Sequence, residues 1–512
     1  MSRRLFIAWL ATSLALAFSV SGSSTIFIPA STFGQFVRPG PVPTDVAARI
    51  QRVEDGLLPD NVIKDQPLPH MKLLDRMKYY ETPGVSIAVI NNYKVEWARG
   101  YGAREVGSNE DVNAETLFQA ASISKPVTAV AALRLVQQGK LSLDEDVNKK
   151  LRSWKVAEND FTRDRKVTVR GILTHTAGFE VLFYEGTSVG EPLPTALQVL
   201  SGEKPAPNAP IQVIYTPGSK NVYSGGGFLV LQQLLVDVMG KPFPQLIEEL
   251  VLRPLGMKSS TFKQPLPQNL QPRAAAGSSE GEPVKGKWLI KPNMASGGLW
   301  STPSDIAGFV IELEKARLGK SSKVLTSETA NLMLPPRESQ TSVSDDASVK
   351  VRGLGLGVTG ESQNIRFNHG GYTTGYRCEM VGFGNGQGVV VMTNGKSQAL
   401  LREIMRSVAK EYGWVAPEYL PRERTLIKVE PHVLDAYVGN YEFPEGRNPR
   451  ISVVSVKDGQ LRLDGTPLRS ESETRFFGVG EATYIFVKDE KGQVKEMIYD
   501  VGFFKLTARK IK

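Results

Sequence analysis

The residues of this chain best suited to covalent chemistry lie in Phe118-Gln119-Ala120-Ala121-Ser122-Ile123-Ser124-Lys125, followed at once by the apolar run Pro126-Val127-Thr128-Ala129-Val130-Ala131-Ala132-Leu133. A serine hydroxyl is a weak nucleophile and needs a neighbouring base. Ser122 and Lys125 stand three residues apart at the start of an apolar helical pattern, so they share one face and the amine can reach the hydroxyl. The unpaired N–H groups and partial positive charge of a helix N-terminus suit a developing oxyanion. The chemistry this predicts is acyl transfer through a covalent intermediate on Ser122. Spacing alone discriminates poorly, because Ser-x-x-Lys begins at four positions: Ser122, Ser201, Ser260 and Ser407. Ser201 and Ser260 fall in loops, and Ser407 lies inside an amphipathic helical pattern. Only Ser122 opens a buried helix.

Three further stretches follow in order: Tyr223-Ser224-Gly225 after Thr216-Pro217-Gly218, then Gly297-Gly298-Leu299, then His369-Gly370-Gly371. Together with Ser122-x-x-Lys125 they resemble the class C β-lactamase, DD-peptidase and esterase family of serine hydrolases. The resemblance runs from about Pro83 to Tyr412, with Leu173-Thr174-His175-Thr176-Ala177-Gly178 as a further landmark. It implies Ser122 as the acylated nucleophile, Lys125 as its partner and Tyr223 as the tyrosine of the family's Tyr-x-Asn motif. It makes His369-Gly370-Gly371 the His-x-Gly form of the family's Lys-Thr-Gly strand. The backbone N–H groups of Ser122 and Tyr372 would form the oxyanion hole, and Gly225, Gly370 and Gly371 would line the substrate site. Two assignments of the base follow: a Lys125 left neutral by burial, or a Tyr223 phenolate stabilised by a charged Lys125, the pair titrating together. His369 would polarise Tyr223 or the substrate. One position departs from the family, because its Asn is Gly225 here. That Asn holds the lysine and the acyl-side amide of substrates. Its absence points away from efficient β-lactam turnover and toward esters or D-amino-acid-like acyl groups.

Other reactive residues read as structural. His175 belongs to a polar turn, Cys378 alternates within a strand as a small apolar residue, and Trp300 packs near the pocket rim. Gly277-Ser278-Ser279-Glu280-Gly281 matches a nucleophile elbow in spelling but lacks its strand-to-helix setting. The four histidines are scattered and a single cysteine cannot build a thiolate site, so no metal and no cofactor is expected.

The elements that must position these groups begin with a hairpin, 84–90 and 95–101, turning at Asn91-Asn92. The Ser122 helix ends at Gly139. Residues 185–210, rich in Pro and Gly, read as a long ordered loop over one face. Helices are expected over 228–239, 244–252, from Ile306 and from Ala399, with a second hairpin at 376–383 and 389–393. Strands at both ends with helices between predict one sheet completed by the two ends of the domain. From about Val429 short strands recur, resembling the small lipocalin-like barrel appended to some family members. The expected fold class is α+β: a β-lactamase/penicillin-binding-protein-like mixed αβα sandwich with a helical subdomain, plus a small C-terminal all-β barrel. The domains would be a signal peptide at 1–22, a leader or helical lead-in at 23–66, the hydrolase at 67–415, a linker at 416–428 and the barrel at 429–512.

Composition is that of a globular protein, with 41% apolar and 22% charged residues. The formal charge of +9 is spread rather than clustered, which argues against a nucleic-acid partner. Met1-Ser2-Arg3-Arg4 and the apolar run Leu5 to Val20 read as a secretory signal, too short for a span of about 20 residues. The sequence thus predicts an exported, periplasmic or secreted, serine hydrolase acting on a small-molecule or peptide substrate, including peptidoglycan-derived ones. A D-amino-acid peptidase or esterase fits better than an efficient β-lactamase. The alternative is a catalytically weak penicillin-binding or peptidoglycan-sensing module.

Overall fold

The computed structural model describes residues 44–180, 184–335, 352–360, 364–414, 416–443, 450–478, 480, 482–500 and 505–511. The expected signal peptide and the leader up to residue 43 lie outside them. The chain enters through helix α1 (Thr44–Asp55) and strand β1 (Asn61–Ile63), then forms the hairpin β2 (Gly84–Asn91) and β3 (Lys94–Gly102). A one-turn 3-10 helix, Ala121–Ile123, leads into helix α2 (Ser124–Gln137). Helices α3 (Gly225–Met239) and α4 (Pro303–Arg317) follow. Strands β4 (Arg352–Gly353), β5 (Leu356–Thr359), β6 (Arg366–Thr373), β7 (Tyr376–Phe383) and β8 (Gly388–Thr393) precede helix α5 (Gln398–Glu411).

These strands make one seven-stranded sheet in the order β4-β5-β6-β7-β8-β2-β3, antiparallel at every pairing. Its first two strands by sequence join beside its last, as expected for a sheet completed from both ends. Strand β2 is apolar at nearly every position because both faces are covered. Val85, Ile87 and Val89 enter an outer core with α1 and α5, while Ala88 and Ile90 enter an inner core with α2, α3 and α4. Helix α5 shows its apolar stripe at Leu401, Ile404, Met405 and Val408, the spacing that keeps one face inward. Helix α2 is buried along most of its length, and its alanines let neighbours approach closely.

The segment 185–210 is more structured than a loop. Thr187–Ser188 pairs with Leu289–Ile290, and Ala196–Ser201 is helical. Thr195 and Gln198 form a capping box there, and Gly202 ends the helix in the left-handed region.

Beyond β9 (Arg422–Arg424) nine short strands build a second, nearly closed sheet. Its order is 466–467, 460–463, 450–457, 439–443, 505–510, 494–500, 483–488, 475–477, 469–470. Tyr437, Tyr441, Phe476 and Phe486 fill it, with the rings of Tyr437 and Phe486 stacked at 4.4 Å. Strand β1 pairs in parallel with β9. Asn61 also donates to the Gly480 carbonyl at 2.8 Å and accepts from Arg424 Nε at 2.9 Å. Asp60, beside it, pairs with Arg402 and Arg406 of α5. The lead-in thus joins the outer layer of the large sheet to the barrel. No helix among the described residues is long and apolar enough to cross a membrane.

Candidate active site

Ser122 sits in the 3-10 turn just ahead of α2, not within its first α-helical turn. In a 3-10 turn residues i and i+3 eclipse, which brings Lys125 over the hydroxyl: Lys125 Nζ donates to Ser122 Oγ at 2.9 Å. The turn is fastened on several sides. Phe118–Gln119 pairs with Trp300–Ser301. The Ala120 N–H bonds the Leu299 carbonyl at 2.8 Å, and the Ser124 hydroxyl bonds the Ala121 carbonyl at 2.6 Å. Ala121 is held at φ +46°, a conformation that costs a side-chain-bearing residue energy and persists where surroundings impose it. Gly371 of β6 lies against this turn so closely that a Cβ there would be 2.3 Å from the Ala120 carbonyl oxygen.

Lys125 is buried. Besides Ser122 it donates to the Ser296 carbonyl at 2.9 Å. Desolvation holds its ammonium below lysine's usual range, while the charge and hydrogen bond of Tyr223 pull the other way. The nitrogen lies 4.8 Å from the centre of the Tyr223 ring and 5.7 Å from that of Phe228.

Tyr223 immediately precedes Ser224, the N-cap of α3, whose hydroxyl accepts from the Gly227 N–H and donates to the Glu180 carbonyl. His175 fixes this approach. Its carbonyl accepts from the Val222 N–H at 2.8 Å, its Nδ1 accepts from the Ser224 N–H at 3.1 Å, and its ring packs 4.4 Å from that of Tyr223. A ring that accepts at Nδ1 carries its proton on Nε2.

His369, on β6, has its ring 6.4 Å from that of Tyr223. Its Nδ1 lies 2.7 Å from the Gly370 carbonyl. A carbonyl only accepts, so Nδ1 is the donor and Nε2 is the acceptor atom of the neutral ring. Gly370 backs onto Glu379, whose Oε2 would be 2.8 Å from a Cβ there. Tyr372 is 64% exposed, with the Arg377 guanidinium 3.3 Å above its ring. Gly225 is buried and opens α3 together with Gly226 and Gly227.

The structure therefore brings Ser122, Lys125, Tyr223 and His369 to one place, with Gly370 and Gly371 on the adjoining strand. Ser279 belongs to a two-residue hairpin with Glu282–Pro283, not an elbow. Cys378 is buried, its thiol pushed up by desolvation. Trp300, expected at the pocket rim, is instead fully buried between Trp288 and Tyr376, because its strand pairs with Phe118–Gln119 in the inner core. No cluster of metal-binding side chains occurs among the described residues.

One neighbour was not legible. Lys291 is buried, donates from Nζ to the Glu185 carbonyl, and is pushed down to about 8 by desolvation, with the nearby Lys125 charge adding to the effect and Glu185 opposing it. In sequence it is one lysine between Trp288-Leu289-Ile290 and Pro292-Asn293, with no motif to mark it. The backbone of Glu185 and Gly186 folds against it from one side and Gly297 from another.

A hydroxyl bonded to a desolvated amine, a phenol and an imidazole alongside, and a strand edge bearing two glycines are the parts an acyl transfer needs. Comparison with known proteins agrees. The family model described as Beta-lactamase matches residues 72–412. An uncharacterized protein of Mycobacterium tuberculosis is 31% identical over 264 residues, covering 46% of this chain and 63% of that protein. The protein flp of Staphylococcus aureus is 27% identical over 225 residues, covering 43% and 42%. The chain thus spans under two thirds of these relatives. Among solved structures, the octameric penicillin-binding protein homologue from Pyrococcus abyssi superposes with a TM-score of 0.59 at 21% identity, covering 85% of this chain and 98% of that one. A D-stereospecific amidohydrolase from Streptomyces gives 0.52 at 20% identity, covering 67% and 98%. At these identities the likeness is one of fold.

Proposed function

This chain belongs to the Beta-lactamase family, and from that premise we propose that it is an exported serine hydrolase working through an acyl-enzyme on Ser122. The observation that carries the reading is the 2.9 Å bond from buried Lys125 Nζ to Ser122 Oγ beside Tyr223. Ser122 Oγ attacks the substrate carbonyl, and its proton passes to the Lys125–Tyr223 pair, which acts as one coupled base. The backbone N–H groups of Ser122 and Tyr372 receive the oxyanion. The pair then returns the proton to the leaving group, and water releases the acyl half by the reverse sequence. His369 Nε2 accepts a hydrogen bond from Tyr223 or from the substrate. Gly370 and Gly371 let the substrate backbone lie along β6.

Gly225, without an amide to hold an acyl-side NH, favours D-amino-acid peptides and esters over β-lactams. The amidohydrolase among the structural relatives supports that class. Export rests on the basic start and the apolar run from Leu5 to Val20. The same Gly225 favours a second reading, a catalytically weak penicillin-binding or peptidoglycan-sensing module. A fluorophosphonate probe separates the two: it labels the wild-type protein and not Ser122→Ala if the hydrolase reading holds, and folded wild type that resists it supports the second. Turnover of D-amino-acid amides, short p-nitrophenyl esters and nitrocefin, measured side by side, then ranks the substrate classes. Nitrocefin as the best substrate would refute the role given to Gly225.

A further inference from the structure

Acylation at Ser122 uses Lys125 and leaves a second buried lysine without a task. Lys291 is 4% exposed, its ammonium donates to the Glu185 carbonyl, and among the described residues it makes no salt bridge. An ammonium taken out of water and given only a carbonyl is unfavourable, and it has been placed beside another lysine. Its stem lies against a wall that has no side chain: a Cβ on Gly297 would stand 3.5 Å from Lys291 Cδ. Gly297 directly follows Ser296, whose carbonyl takes the bond from Lys125. The carbonyl of Pro292, next to Lys291, is bonded by Gln232 of α3, the helix that Gly225 opens. Lys291 therefore adjoins the Ser296–Gly297 backbone beside Lys125 and helix α3, the helix whose first residue, Gly225, is assigned above to the acyl half of the substrate.

A second cation converges on the same region. Arg377 is buried, stacks on Tyr372 and donates to the carbonyls of Thr373 and Tyr376. Glu185 attracts both Arg377 and Lys291, while its exposed carboxylate accepts from the Thr374 hydroxyl. Two internal cations thus face one surface carboxylate supplied by the protein's own loop.

We infer that Lys291 binds a carboxylate on the acyl half of the substrate, with Glu185 as the protein's own competing counter-charge, so that acyl donors carrying an acidic group are selected. The inference rests on the assignment of Ser122 as nucleophile. Boronic acids test it, because Ser122 Oγ adds to trigonal boron, its proton passes to the Lys125–Tyr223 pair, and the organic group on boron stands where the acyl half would. Phenylboronic acid and meta-carboxyphenylboronic acid are each titrated against fluorophosphonate labelling of the full chain. Wild type is expected to hold the carboxylated compound about tenfold more tightly than its parent. Lys291→Met brings that ratio to about one, Lys291→Arg keeps most of it, and Glu185→Gln raises it about threefold. Each ratio is read on one preparation, so a partly misfolded fraction cancels. A wild-type ratio of one or less, or a Lys291→Met ratio equal to that of wild type, overturns the inference and leaves the acyl-enzyme standing. Folded wild type that takes no label at all defeats the acyl-enzyme and this inference together.

Discussion

Ser122-x-x-Lys125 and Ser407-x-x-Lys410 spell the same motif at the same spacing, yet the protein treats them oppositely. The first occupies a strained 3-10 turn, where the lysine is buried and bonds the serine. The second lies on α5, where Ser407 is 3% exposed and spends its hydroxyl on the Val53 carbonyl of α1 at 2.9 Å, and Lys410 points to solvent. Ser407 sits mid-helix, so its neighbouring N–H groups are spent within the helix and cannot receive an oxyanion. The difference lies in desolvation and in the nearby end of a helix, neither of which the four-residue pattern encodes.

The contrast can be broken by substitution. The largest expected effect is Ser122→Ala, which should cost about 10⁴-fold or more in labelling or turnover, whereas Ser407→Ala should stay within about twofold; equal losses would void the distinction. Lys125→Met should cost about 10²- to 10⁴-fold, with Lys410→Met indistinguishable from wild type in the same assay. Gly371→Ala must move β6 off the Ala120 carbonyl, and a displacement of that order should cost about 10²-fold in kcat/KM, a loss that Gly308→Ala on α4 should not match, since nothing lies within 4 Å of a Cβ there. Labelling should rise with pH as Lys125 loses its proton, along a limb below lysine's usual value of about 10.4; a limb at or above that value would mean that burial does not act on Lys125.

Stability should carry a smaller signature of the same difference. A lysine depressed in the folded state binds fewer protons there than in the unfolded chain, so stability rises with pH between the two values. For Lys291 that window runs from about 8 to about 10.4. Below it the penalty is fully present, and above it the penalty is gone. Denaturant titrations across that window should therefore show a shallower rise for Lys291→Met than for wild type. The smallest effect is on Ser407→Ala, expected to lose about 1 kcal/mol for one buried hydrogen bond, read as a shift in denaturation midpoint.

Much of this arrangement could be read from residues in order. The ordered set Ser122, Tyr223, Gly297 and His369 points to one site through its resemblance to a known family, since spacing alone cannot bring residues so far apart in sequence together. The β2–β3 and β7–β8 hairpins are legible from paired apolar runs and the turn residues between them. What stayed hidden depends on contacts distant in sequence. Lys291 gives its hydrogen bond to the Glu185 carbonyl, 106 residues away. The helix over 196–201 was missed although Thr195 and Gln198 spell its capping box, since the surrounding prolines and glycines read as loop. In the barrel the strands at 466–467, 469–470 and 475–477 are too short to show a period.

Helix α1 and Leu57 supply part of the outer core yet lie, with strand β1, ahead of the family-matched span, just as β9 lies beyond it. A chain trimmed to residues 72–412 would lose Ile50, Val53 and Leu57 and bare Leu401, Met405 and Val408 on α5 to water. It would also remove Asp60 from its ion pair with Arg406. The family-matched span by itself is thus a sticky one, and recombinant work should keep both flanks.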